Sequence, residues 1–400
     1  MTNCINVYKG LRYTNSGEVM FCCKSENWLD DKDGNRCKID THTFDEALNG
    51  KQATEIRDAL EKGIKHKNCQ KCWDEEASGI ASKRMLDNDR AQRYWGLDYL
   101  RDTTVQAEIV ELNLGTVCNL KCRICGPWSS SKWVKEHYAV LAKGEPFDKY
   151  MERIYQWQGN WEEDSFAWEN IENNLPNLKQ IDFYGGEPFL VDKNWEILQK
   201  SVDEGYAKDQ ILHFNTNATT YKEEHIETLK KFKSVLISLS IDDIGERFEF
   251  QRHPAKWDVV SENLQKFIEL NKSNPQIDLL VCVTVNNLNV YYMTEIMHYF
   301  EKQKVQYYAN YLHFPAYYNI RNMKQELKSK VADKYARTRT GLTTYSLENL
   351  KRITTYMENH ISTQGPWEEF LNITKAKDDY RKESFVVTFP EWSQIIEENQ

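Results

Sequence analysis

Between residues 108 and 311 strand-like and helix-like segments alternate, and this alternation narrows the fold more than any other feature of the chain. Short runs rich in Val, Ile, Leu, Phe and Tyr occupy 108–114, 178–184, 210–216, 234–241, 278–285 and 305–311. Helical periodicity fills the intervals at 192–205, 222–232, 255–271 and 292–302. Strands separated by helices pair in parallel, because a parallel connection needs a crossover, and such crossovers are right-handed. Six units stop short of a closed eight-stranded barrel, so the fold expected is α/β with a partial (β/α)6 barrel over 108–318.

The flanks read differently. Residues 1–84 carry a hairpin at 11–22 around Asn15-Ser16-Gly17 and a helix at 44–63, which makes a small N-terminal module. A charged helical connector covers 85–107, and 319–400 is a helical extension. Phe385, Val386, Val387, Phe389 and Trp392 give the extension an apolar stretch expected to cover an edge of the barrel. The long connection 126–177 carries Trp128, Trp133, Trp157, Trp161 and Trp168, which suit the packing of inserted helices or a substrate surface at the barrel mouth.

Charge and composition exclude several classes. With 52 Lys and Arg against 61 Asp and Glu the formal net charge is -9, which argues against an extended nucleic-acid surface. One stretch runs the other way: Arg321, Lys324, Lys328, Lys330, Lys334, Arg337 and Arg339 face only Glu326 and Asp333, as a solvated helix face or a dock for an acidic partner. No apolar run reaches the roughly eighteen residues of a membrane span, and no secretory start is present, so the cytoplasm is the compartment expected.

Ten cysteines are many for such a chain, and they cluster. Cys4, Cys22, Cys23, Cys37, Cys69 and Cys72 fall in the first 72 residues, Cys118, Cys122 and Cys125 form a tight group, and Cys282 stands alone. In a reducing compartment clustered thiols are ligands for metals or clusters rather than disulfides. The group Cys118-Asn-Leu-Lys-Cys122-Arg-Ile-Cys125 follows a strand with C-x3-C-x2-C spacing. Three thiolates can hold three irons of a four-iron cluster and leave the fourth open, whereas structural zinc takes four protein ligands.

With that spacing in that place, the chain resembles the radical S-adenosylmethionine (SAM) superfamily. Tyr184-Gly185-Gly186-Glu187-Pro188, after the second strand, looks like the family's segment that receives the amino group of SAM. Ser240, on the fourth strand, and the downstream Arg252 resemble the pair that holds the SAM carboxylate, and Asn215 and Asn217 are candidates for the ribose. Ile124 stands where the family usually has an aromatic residue against adenine. The N-terminal pattern of Cys4, Gly17, Cys22 and Cys69-x2-Cys72 resembles the start of the SPASM and twitch modules of this superfamily, which hold auxiliary clusters. It implies one further [4Fe-4S] cluster on Cys4, Cys22, Cys69 and Cys72, with Cys23 competing for the place of Cys22 and Cys37 a plain thiol. Such modules usually follow the barrel, and here it comes first.

The resemblance implies two [4Fe-4S] clusters, SAM, and reductive cleavage of SAM to a 5'-deoxyadenosyl radical that abstracts hydrogen. It implies an external electron donor such as flavodoxin or ferredoxin, and a peptide or protein substrate. A dehydrogenase of a small molecule such as a sugar and an RNA-modifying enzyme are the alternatives. Cys282 lies on the strand 278–285 on the face opposite Leu279, Val281, Val283 and Val285. It reads as a small buried hydrophobe or as a hydrogen-atom donor to a substrate radical.

Overall fold

The strand-forming runs assemble into an eight-stranded, mostly parallel sheet. Its strands are β1 (Gly10–Tyr13), β2 (Val19–Met20), β3 (Ile109–Asn113), β4 (Gln180–Tyr184), β5 (Ile211–Thr216), β6 (Ser234–Ser240), β7 (Ile277–Val285) and β8 (Tyr307–Tyr311), in the order β2-β1-β3-β4-β5-β6-β7-β8. The structure is a computed structural model that describes all residues except 1–2, 78–80, 114, 159–163, 360–363 and 400. Leu114 and Trp161 therefore lie outside the described residues. The six strands expected from the sequence are β3 to β8, each within two residues at either end. The chain divides into two compact units, 1–117 with 155–214 and 227–235, and 118–154 with 215–226 and 236–400.

In the first unit the N-terminal hairpin gives its first strand to the main sheet. β1 runs parallel to β3 from Gly10↔Ile109 to Tyr13↔Leu112 and antiparallel to β2. The helix expected at 44–63 is broken into Phe44–Leu48 and Lys51–Glu61. Thr43 and Glu46 form a reciprocal cap on the first piece, and Gly50 starts the second where a Cβ would sit 1.6 Å from the Asp30 carbonyl oxygen. Arg12, Glu111, Asp182 and His213 occupy one register row across β1, β3, β4 and β5. Lys83 of the helix Lys83–Arg101 reaches Glu111 at 2.7 Å and Asp87 at 3.0 Å, while Arg12 meets Glu111 at 3.3 Å. Buried carboxylates in a sheet demand such partners, and the sequence reading did not anticipate this row.

In the second unit helices close over β7, whose residues from Val281 to Val285 are all buried. The extension is helical at Gln325–Thr338, Thr344–Glu358, Gln364–Arg381 and Pro390–Glu398. The basic stretch is not a uniformly solvated face: Lys328 and Lys334 are buried, and Lys334 pairs with Glu391 at 2.7 Å. The 385–392 segment packs Phe389 on Phe250 and stacks Trp392 on Tyr291, with ring centroids 5.2 and 5.0 Å apart. It thus covers helical connections rather than a strand edge. No described helix is long and apolar enough to cross a membrane.

Candidate active site

The cysteine loop that follows β3 is held by its backbone from three directions within the second unit. Lys121 N donates to His253 O at 2.6 Å and Arg123 N to Gln251 O at 2.7 Å, pairing the loop with the end of the helix Gly245–Gln251. Ser130 Oγ donates to Leu120 O at 2.6 Å and Trp133 Nε1 to Cys122 O at 3.2 Å. From the helix Gln364–Arg381, Lys377 Nζ donates to Arg123 O at 2.9 Å and Arg381 Nη2 to Lys121 O at 2.7 Å. Trp133 is fully buried, so this tryptophan of the connection serves packing.

The thiols gather at the same place. Cys122 is buried, Cys118 and Cys125 half-buried, and Cys125 N donates to Cys122 O at 2.9 Å in the tight turn between them. A hydrogen bond from Cys125 and the Arg252 guanidinium hold the Cys122 thiol below its ordinary value despite burial. The same bond and burial push Cys125 well up. Arg252 Nη1 lies 3.9 Å from Cys122 Sγ, and Arg252 is buried and fixed on Asp242 at 2.8 Å. Asp242 also accepts from Thr284 N at 2.8 Å, so β7 orients the carboxylate that orients the arginine. A guanidinium beside a buried thiol favours the thiolate, the form that ligates iron.

The other second-unit candidates take varied positions. Cys282 is buried among Tyr308, Asp242 and Arg252, with burial pushing its thiol up to about 11. The buried Oδ1 of Asn215 has no hydrogen-bond partner among the described residues, an acceptor left for a ligand hydroxyl. Asn217 instead donates to Asn119 Oδ1 at 2.9 Å and accepts from Thr219 N at 2.9 Å, acting as a strut of the cysteine loop. Ser240 ends β6 half-buried, and Ile124 is half-buried between Arg123 and Cys125.

In the first unit Tyr184 closes β4 and its hydroxyl meets His213 Nδ1 at 3.1 Å. Gly185 and Gly186 have φ of 75° and 46°. A Cβ on them would come within 2.3 Å of Asn113 Oδ1 and 2.2 Å of Val117 O. Glu187 N donates to Val117 O at 2.7 Å, and its carboxylate accepts from Phe189 N at 3.1 Å. The glycines therefore make room for the chain's own backbone just before Cys118, and Pro188 begins the turn that Glu187 caps. Gly186→Ala is expected to cost about 1–3 kcal/mol through left-handed backbone alone, with the Val117 clash added. Denaturant unfolding of the iron-free protein checks it, and an unchanged midpoint would refute the close packing.

Six further cysteines lie in the first unit. Cys4 and Cys72 are buried, Cys22 and Cys69 half-buried, and Cys23 exposed. Burial pushes Cys4 up to about 12 and Cys69 up to about 11, and the neighbouring thiols add to it: Cys69 and Cys72 act on Cys4, and Cys4 on Cys22. Cys37 is pushed up to about 12 by burial and then by the carboxylates of Asp31, Asp30 and Glu46. Among the described residues no group of three or more His, Cys, Asp or Glu is close enough for a single metal ion. A four-iron cluster asks for a wider arrangement, because its irons and sulfides stand between the thiolates. Thiols held protonated by burial become ligands once iron supplies positive charge.

Residues 112–294 match the model of the Radical SAM superfamily. Among solved structures it is similar to native anSMEcpe with bound AdoMet and Cp18Cys peptide, at 14% identity and a TM-score of 0.34 over 57% of this chain. That match spans 59% of the anSMEcpe chain. It is also similar to Streptococcus suis SuiB, at 15% identity and a TM-score of 0.36 over 84% of this chain and 69% of that one. For SuiB bound to precursor peptide SuiA the identity is 12% and the TM-score 0.26, over 88% of each chain. No curated protein sequence matches the chain.

The residues that sequence reasoning missed are those that hold the loop. Arg123 was a spacer between two cysteines, yet it is fully buried and donates to Asp378 at 2.5 Å and Glu383 at 2.7 Å. An arginine between apolar and cysteine neighbours is the one local signal, and nothing near it in sequence names its partners.

Proposed function

We propose that this chain is a radical SAM enzyme with a partial (β/α)6 barrel and an N-terminal twitch-like module, acting on a peptide or protein. The observation that carries the reading is the cysteine loop itself: three thiols on a backbone fixed from several elements, with the Arg252 guanidinium against Cys122. In this reading Cys118, Cys122 and Cys125 hold a [4Fe-4S] cluster, and Cys4, Cys22, Cys69 and Cys72 hold a second. When bound, the first cluster supplies an electron that cleaves SAM to a 5'-deoxyadenosyl radical.

The chain's own residues bind and orient. Arg252, kept rigid by Asp242, and Ser240 take the SAM carboxylate. Asn215 offers its free oxygen to the ribose, with Asn217 bracing the loop nearby in sequence. Ile124 gives adenine an apolar neighbour, and the segment Tyr184 to Pro188 takes the amino group. The peptide preference rests on the family resemblance; the buried Lys328 and Lys334 weigh against reading the basic stretch as an RNA surface. The cytoplasm, with flavodoxin or ferredoxin as electron donor, completes the reading.

The test is anaerobic reconstitution followed by incubation with SAM, a reductant and candidate peptides, read by mass spectrometry. About eight irons per chain and formation of 5'-deoxyadenosine are expected, and failure to cleave SAM would sink the reading. Cys282 is proposed as a hydrogen-atom donor to the substrate radical. In heavy water a redox-neutral product carrying deuterium, lost in Cys282→Ala, is expected; a product two hydrogens lighter without deuterium excludes donation.

A further inference from the structure

The helix Gln364–Arg381 lies about 250 residues beyond the cysteine loop in sequence, yet two of its cations end on the loop's carbonyl oxygens. Arg381 Nη2 bonds Lys121 O while its Nε donates to Glu136 at 2.7 Å, and Glu136 takes the Lys121 ammonium at 2.7 Å. Lys377 Nζ bonds Arg123 O and lies 4.6 Å from the centre of the Trp133 ring. Arg123 in turn reaches back to the Thr374 carbonyl at 3.5 Å and the Asp378 carboxylate of the helix, and beyond it to Glu383 and the Phe250 carbonyl. Helix and loop therefore hold each other, side chain to backbone, in both directions.

The charges in this knot do not cancel. Lys121, Arg123, Arg252, Lys377 and Arg381 are five cations, and Glu136, Asp242, Asp378 and Glu383 are four carboxylates, with the His253 ring on Glu383. Lys377 is the cation left over: it is 1% exposed and no ion pair among the described residues includes it. Its bonds go to a carbonyl and to the Tyr318 hydroxyl, with two aromatic faces beside it. Burial first, then the neighbouring Arg381 and Arg123, push the Lys377 ammonium well below its ordinary value, so a buried cation here is costly and keeps its proton only where an anionic group completes the site. Three thiolates on an oxidised four-iron core leave one net negative charge, which is the complement required.

We infer that Lys377 and Arg381 are positioning residues for the cluster proposed at Cys118, Cys122 and Cys125: they fix the loop that carries it, and Lys377 balances its charge and so sets its reduction potential. The inference rests on the functional reading above. Reduction adds negative charge, and a buried cation stabilises the more negative state, so removing Lys377 makes reduction harder.

The test uses the full chain carrying Cys69→Ala and Cys72→Ala, so that the proposed auxiliary cluster does not overlap the signal. The midpoint potential of the reduced cluster is followed by electron paramagnetic resonance, and iron loss by a chelator. Lys377→Met is expected to shift the midpoint to more negative potential, and Lys377→Arg to return it towards the parent. Arg381→Lys keeps the charge and sheds a backbone bond, so it should keep the potential and lose iron faster. Lys328→Met, at a buried lysine of the helix Gln325–Thr338, is the control expected to change neither. Should Lys377→Met fail to fold, the contrast between Arg381→Lys and Arg381→Gln decides, since only the second should move the potential. A parent midpoint in all these variants, with iron retained, overturns the inference. A parent protein that takes up no iron undoes the functional reading instead.

Discussion

Cys122→Ala is expected to abolish 5'-deoxyadenosine formation, whereas Cys69→Ala with Cys72→Ala should leave it measurable and remove about half of the bound iron. The asymmetry follows from where the thiols stand. Cys122 is the buried member of its group, the one whose carbonyl anchors the turn to Cys125 and whose sulfur faces Arg252. An alanine there removes one of the three ligands proposed and leaves Arg252 facing an apolar methyl. Cys69 and Cys72 belong to a separate set in the other compact unit. Chromatography of the nucleoside product and an iron assay on the same preparations check both halves. Wild-type cleavage by Cys122→Ala would end the assignment of the site, and complete iron loss in the Cys69, Cys72 variant would end the separation into two sets.

The cysteine loop and the strands beside it were legible because their signals are local. A run of five to nine β-formers declares a strand, and C-x3-C-x2-C places three thiols within eight residues. The strands β3 to β8 accordingly fall where periodicity puts them. What escaped notice depends on partners remote in sequence. β1 could be read as a hairpin strand, but its parallel pairing with β3 joins residues about 100 positions apart. Lys328 and Lys334 looked like members of a charged helix face, since composition does not reveal that Glu391 arrives to neutralise one of them. The glycines at 185 and 186 stand out in the sequence, but Asn113 and Val117 as the groups they pack against do not. Arg123 is the extreme case, because its carboxylates lie 255 and 260 residues downstream.

Arg123 also gives the largest stability effect expected. Its guanidinium is fully buried, donates to two carboxylates and to the Phe250 carbonyl, and lies over the Phe250 ring at 3.5 Å. Arg123→Met keeps most of the apolar stem but leaves Asp378 and Glu383 facing a space without a cation. Breaking a buried pair in this way costs about 3–5 kcal/mol, and the lower figure applies because the two carboxylate side chains are 14% and 20% exposed. The loss should depend on pH in a definite direction. Burial pushes the Glu383 carboxyl up, but hydrogen bonds from His253 and Arg123 outweigh it and hold it below its ordinary value of 4.5. A carboxyl whose folded value is depressed contributes stability above its unfolded value and loses it as the pH falls through the folded one. The gap between wild type and Arg123→Met should therefore be widest near neutrality and close progressively below about pH 4.5. Adding Glu383→Gln to Arg123→Met removes one stranded charge and should recover part of the loss. Denaturant unfolding of the iron-free proteins from pH 7 to about pH 3 measures all three. A gap that does not narrow with acid, or a double variant no more stable than Arg123→Met, would mean that the knot binding the cysteine loop to the helix Gln364–Arg381 is held by packing and not by charge.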